Sequence, residues 1–98
     1  MSVQFVIEVD DRDGARVVLT ALEAYKTHLR ESIKRTRRRL GDFEGRYGVP
    51  THDFLARMTA EDLDGGDLEY VEWAGECRLL EGLEAALAQL EHARVQLP

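Results

Sequence analysis

Residues 15 to 50 read A-R-V-V-L-T-A-L-E-A-Y-K-T-H-L-R-E-S-I-K-R-T-R-R-R-L-G-D-F-E-G-R-Y-G-V-P, and a single apolar stripe runs through them. Val18, Leu22, Tyr25, Leu29, Ile33, Leu40, Phe43 and Tyr47 step mostly by three, four or seven residues, and Thr36 fills the gap in the series. That spacing is the period of one amphipathic helix. Asp10, Asp11 and Asp13 stand before it as N-cap and first-turn carboxylates. Gly48 followed by Val49-Pro50 ends it, because glycine takes the left-handed cap and proline prevents continuation. A helix over residues 11–47 extends about 55 Å at the usual rise, far more than a globular domain of this size needs. Gly41 and Gly45 each weaken it by ~1 kcal/mol relative to alanine and mark the expected place for a bend.

Working downstream, Thr51 is placed to cap a short helix over residues 51–58, with Phe54, Leu55 and Met58 on one face. Residues 59–66 form a turn-rich acidic connection ending in Gly65-Gly66. Asp67 then opens a second long helix over residues 67–97. Its stripe is Tyr70, Trp73, Cys77, Leu80, Leu83, Leu87, Leu90 and Leu97, interrupted by Arg94. Upstream, Val3, Phe5, Ile7 and Val9 alternate with Ser2, Gln4, Val6 and Glu8, the period-two pattern of a strand over residues 1–9. A strand in an otherwise helical chain must find its ladder partner elsewhere, in a second copy or at the sheet edge of another protein. The expected fold is therefore mainly α within one domain, residues 1–98: an N-terminal β-strand, then a long antiparallel helical hairpin with a short helix at the bend. So thin a core predicts a homodimer or a bound partner. The competing architecture is a compact three- or four-helix monomer in which the long helix breaks at Gly41.

Composition narrows the classes. A chain of 98 residues that is 44% hydrophobic and 33% charged folds as one small domain rather than staying disordered. No apolar run approaches the ~20 residues of a membrane span, so no membrane partner is expected. Residues 1–10 hold no basic side chain, which argues against a signal peptide, and the single Cys77 fits a reducing cytoplasm.

Charge is unevenly placed along a chain of net charge -6. Arg30, Lys34, Arg35, Arg37, Arg38 and Arg39 form a basic block broken only by Glu31. Glu61, Asp62, Asp64, Asp67, Glu69, Glu72 and Glu76 form an acidic run without a basic residue. One reading sets the two runs against each other across the hairpin or a dimer. The other gives them separate partners: phosphates, as in operator DNA, for Arg35, Arg37, Arg38 and Arg39, and a basic protein surface for the acids. No helix-turn-helix or ribbon-helix-helix pattern supports the DNA reading.

Catalytic chemistry is not written in the sequence. His28, His52 and His92 are scattered without metal-ligand spacing, so neither a metal nor a cofactor is implied. Cys77 lies on the apolar stripe, where a buried thiol is the simpler reading than a nucleophile. There is no phosphate-binding glycine loop. The expectation is a protein that is not an enzyme.

The most distinctive local sequence is Tyr70-Val71-Glu72-Trp73-Ala74-Gly75-Glu76. Trp73 either packs on Phe43 or Tyr47 in the hairpin core, with Gly75 making room for the short helix, or anchors a partner. In the second case Tyr70, Glu72, Trp73 and Glu76, with Asp62, Asp64, Asp67 and Glu69, make the binding surface.

Phe43-Glu44-Gly45-Arg46-Tyr47-Gly48, Phe54, the Gly65-Gly66-Asp67 turn and Glu72-Trp73-Ala74-Gly75-Glu76 resemble a family of small prokaryotic proteins. Its pattern is F-E-x-x-Y-G, a short helix with Phe, an acidic Gly-containing turn, and E-W-x-G. The likeness covers residues 36–83. Members are often encoded beside a small toxin and are regarded as antitoxins of type II toxin–antitoxin pairs. The resemblance implies a protein that binds and neutralises a cognate toxin, a ribonuclease being the natural candidate, by protein–protein contact. A structural, self-assembling hairpin and a small DNA-binding regulator are the alternatives. Trp73-Ala74-Gly75 also meets the W-x-G pattern of small secreted helical hairpins. In those proteins the motif sits in the turn, whereas here it falls inside the second helix.

Overall fold

The Asp11 carboxylate accepts a hydrogen bond from the Gly14 N–H at 2.9 Å, and from that cap helix α1 runs unbroken over Arg12–Tyr47. The computed structural model describes residues 1–97. It orders them as α1, helix α2 over Thr51–Arg57, a 3-10 turn over Ala60–Asp62, and helix α3 over Gly66–His92. Gly48 ends α1 at φ 68°, the left-handed cap that favours glycine, and its N–H donates to the Glu44 carbonyl.

α1 and α3 lie antiparallel. Arg30, Arg37, Arg39 and Arg46 meet Glu91, Glu84, Glu76 and Glu69 in turn, so ascending positions on one helix match descending positions on the other. The apolar seam lies between these flanking pairs. Leu29, Thr36 and Leu40 are buried along it, and the Thr36 hydroxyl is satisfied by donating to the Ser32 carbonyl at 2.9 Å. The hairpin measures 59 × 28 × 18 Å.

Several sequence-based expectations need correction. No strand forms among the described residues. Residues 1–9 are exposed and irregular, because the single chain offers no edge to complete their hydrogen-bond ladder. Thr51 does not cap α2, whose N-cap is Pro50. The carboxylate of Glu44 takes over part of that task, accepting from the Thr51 N–H at 2.7 Å. Gly41 and Gly45 interrupt nothing, since α1 is continuous through both. Tyr25 faces away from the seam at 52% exposure, and Lys26 takes the seam position with its side chain 20% exposed. α2 stops at Arg57 rather than residue 58, and α3 at His92 rather than 97. Ala93 takes an extended backbone at φ -68° and ψ 139°, so α3 ends just before Arg94, the residue that interrupts its apolar stripe.

Candidate functional site

The hairpin closes around Trp73, which is 0% exposed. Phe54 of α2 stacks on it with ring centroids 4.0 Å apart and planes 1° from parallel. From α1, Phe43 and Tyr47 stack at 5.3 and 5.7 Å, and Tyr70 leans on Phe54 at 5.0 Å. Leu40 and Leu63 complete the buried cluster. The indole needs a polar partner once buried, and Nε1 finds one by donating to Thr51 Oγ1 at 3.1 Å. The Thr51 hydroxyl is therefore spent on Trp73 rather than on its own helix.

Around this cluster lies a polar clamp. Tyr47 Oη donates to the Glu69 carboxylate and accepts from the Asp64 N–H, the latter at 3.1 Å. Glu69 also accepts from Arg46 and from the Gly65 N–H. A Cβ on Gly65 would push the Glu69 side chain aside, and Gly66 takes φ 59°, the left-handed region that favours glycine. Asp62 accepts from the Thr59 N–H at 2.8 Å, closing a capping box over the 3-10 turn.

The sequence-selected residues thus divide into two groups. Trp73, Tyr70 and Glu69 build the closed end, Glu76 pairs with Arg39, and Asp62 holds its own turn. Asp64, Asp67 and Glu72 are exposed, and with Glu61 they form an acidic rim. Among the described residues, none of these four has an ion-pair partner. Gly75 does not make room for α2: it is exposed, and an added Cβ would meet only open space. Leu63 and Val49 belong to the closed-end cluster without having been selected from the sequence. Their only signal is that each is an apolar residue inside a turn.

The basic block divides too. Arg37 and Arg39 reach α3 at 3.1 Å, whereas Arg35 bonds only Ser32 on its own helix at 3.1 Å, and Arg38 stands exposed beside it. Two of the four arginines weighed for nucleic acid are therefore occupied by the hairpin. No group of His, Cys, Asp and Glu among the described residues is arranged to hold a metal ion. The main concavities are open surface grooves, one beside Arg35 and Arg38 and one beside Val71, Gly75 and Leu79. Burial raises the pKa of the Cys77 thiol, and the carboxylates of Glu81 and Glu44 push it the same way, which disfavours the nucleophilic thiolate. No described helix is long and apolar enough to cross a membrane.

No family model, curated protein or solved structure matches the chain. The functional reading therefore rests on its own geometry and on the motifs quoted above. In the F-E-x-x-Y-G segment, Phe43 and Tyr47 stack on Trp73, Glu44 accepts from α2, and Gly48 turns the chain. These letters encode the closed end. Glu72 and Gly75 of the second motif have no such internal task.

Proposed function

We propose that this chain is a non-catalytic binding protein of the antitoxin kind, which neutralises a small toxin by covering its working surface. The observation that carries this reading is the segment of residues 1–9. Val3, Phe5 and Ile7 are 91%, 83% and 55% exposed, in a chain that buries Phe54 and Trp73 completely. Exposed apolar side chains with period-two spacing are the form of a segment that completes a sheet edge on another protein. The acidic rim of Glu61, Asp64, Asp67 and Glu72 supplies the complementary charge. A ribonuclease must present a basic surface to RNA, and such a surface attracts this end of the hairpin. Trp73 supports the site from within rather than touching the partner. The cytoplasm, where such pairs meet, suits a chain with a single unpaired cysteine. Operator DNA is a weaker partner, because Arg37 and Arg39 are engaged with Glu84 and Glu76.

Co-expression with the product of the adjacent open reading frame tests the reading. The expected result is a stable complex and restored growth. Removal of residues 2–8 should abolish both while leaving the helical circular dichroism intact. A charge-reversed rim, Asp64→Lys with Asp67→Lys and Glu72→Lys, should weaken the complex by tenfold or more. A non-toxic neighbour that forms no complex would remove the proposal.

A further inference from the structure

α1 is longer than its partner. Arg30 pairs with Glu91 and α3 ends at His92, so residues 12–28 of α1 project about 25 Å past the end of the hairpin. The seam does not stop there. The seven-residue repeat that places Leu29, Thr36 and Phe43 toward α3 continues backward through Leu22 and Ala15, and the series of Ile33 and Leu40 continues through Lys26 and Leu19. Ala15, Leu19 and Leu22 are half-buried with no α3 residue opposite them.

We propose that this projecting half of α1 is an interface for a second copy of the chain, packed antiparallel about a two-fold axis near Leu19–Leu22. The charges fix the orientation. Arg16 and Glu23 are seven residues apart on the same flank of the seam, exposed at 80% and 68%. In the single chain each has only a neighbour on its own helix, Asp13 at 3.9 Å and Lys26 at 3.1 Å, which the dimer exchanges for partners across the axis. In an antiparallel coiled coil this flank meets its own symmetry mate, so Arg16 of each copy faces Glu23 of the other, twice over. The layers become Leu19 on Leu22 and Ala15 under the Lys26 stem. The Lys26 ammonium then reaches toward the acidic start of the other α1, at Asp11 and Asp13. On the opposite flank Val18 covers Tyr25, which accounts for an aromatic ring left 52% exposed one position off the seam. A parallel pairing instead stacks Lys26 on Lys26 and gives Arg16 and Glu23 no opposite charge across the interface. The antiparallel pairing also keeps the two acidic closed ends at opposite tips of the particle, which matters for a chain of net charge -6.

Two heptads form a small contact, so a reversible dimer with Kd in about the micromolar range is expected. Sedimentation equilibrium between about 1 and 200 μM should show monomer passing to dimer. Scattering of the dimer should report a rod of about 80 Å or more, against 59 Å for one hairpin. Arg16→Glu alone and Glu23→Arg alone should each weaken association about tenfold or more, since each places two like-charged pairs across the axis. The double variant Arg16→Glu with Glu23→Arg should restore it. Leu22→Glu should give a monomer whose closed-end tryptophan fluorescence is unchanged. A chain that stays monomeric at the highest concentration overturns the proposal. So does a dimer insensitive to the single reversals, or one not rescued by the double reversal. Val9 packs against Gly14 at the edge of the interface, whereas residues 2–8 lie outside it, so removal of residues 2–8 should leave the dimer intact even where it abolishes toxin binding.

Discussion

Trp73 shows how one side chain organises this chain. Its indole is covered by Phe43, Tyr47 and Phe54, which lie on two other helices, and its N–H has a single acceptor, Thr51 Oγ1. Trp73→Ala should lower stability by about 3–5 kcal/mol, because the cavity lies where three helices meet and cannot collapse from one side. Thr51→Val keeps the volume but strands the indole N–H, costing about 1–3 kcal/mol. Urea titration monitored at 222 nm checks both, and a Thr51→Val change below a few tenths of a kcal/mol would mean that water replaces the hydroxyl. Cys77 gives a pH test. Its folded-state pKa is raised by burial and then by Glu81 and Glu44, so the folded chain holds the thiol proton more tightly than the unfolded chain. That contribution to stability is fully present below the unfolded thiol pKa and is lost as pH rises through the folded one. Alkylation by iodoacetamide near pH 8 should be slower than for a free thiol. A rate equal to that of glutathione would show that the burial is ineffective. The sequence left two roles open for Trp73, core and anchor. Spacing alone decides between them only when the covering residues are known, and Phe54 reaches the indole from a helix whose path the sequence does not fix.

At the scale of elements, α1 was legible because cap, stripe and stop agree: Asp11, the 3-4 spacing and Gly48. The misplacement of Tyr25 has a simple cause. The series 22-25-29 and 22-26-29 both satisfy helical spacing, and hydrophobicity favours tyrosine. The seven-residue register imposed by α3 nevertheless continues onto Lys26. At the end of α3 the stripe misleads in the converse way: Leu97 prolongs it in sequence, but the backbone is already extended at Ala93, before the Arg94 interruption. Helix glycines provide the test at this scale. Gly41 and Gly82 lie inside α1 and α3, are exposed, and an added Cβ at either meets nothing within 4 Å. Gly41→Ala and Gly82→Ala should each stabilise by about 0.5–1 kcal/mol and raise Tm by several degrees together. Destabilisation by either would reveal a contact that the isolated chain does not contain. The Arg37–Glu84 pair is the counter-case: both side chains are about half exposed, so Glu84→Gln should cost less than about 1 kcal/mol in physiological salt.

At the scale of the whole molecule, stability is graded along the hairpin axis. The buried cluster of Leu40, Phe54, Leu63 and Trp73 sits entirely at the closed end, whereas the open end carries the exposed residues 1–9, the projecting half of α1 and residues 93–97. An isolated helical stretch of about 17 residues is marginal in water, because its nucleation cost is offset by few contacts. Amide hydrogen exchange should therefore divide α1 in two. The amides near Leu40 and Tyr47 should open only with global unfolding, and those of residues 16–26 by local fraying. Protection of the second group should rise with protein concentration, because a partner copy that binds only the helical form stabilises it by mass action. Arg16→Glu should remove that concentration dependence, while the protection around Trp73 stays as it was. Uniform, concentration-independent protection along all of α1 would mean that the chain itself covers its open end. The seam from Ala15 to Lys26 would then need no second molecule to complete it.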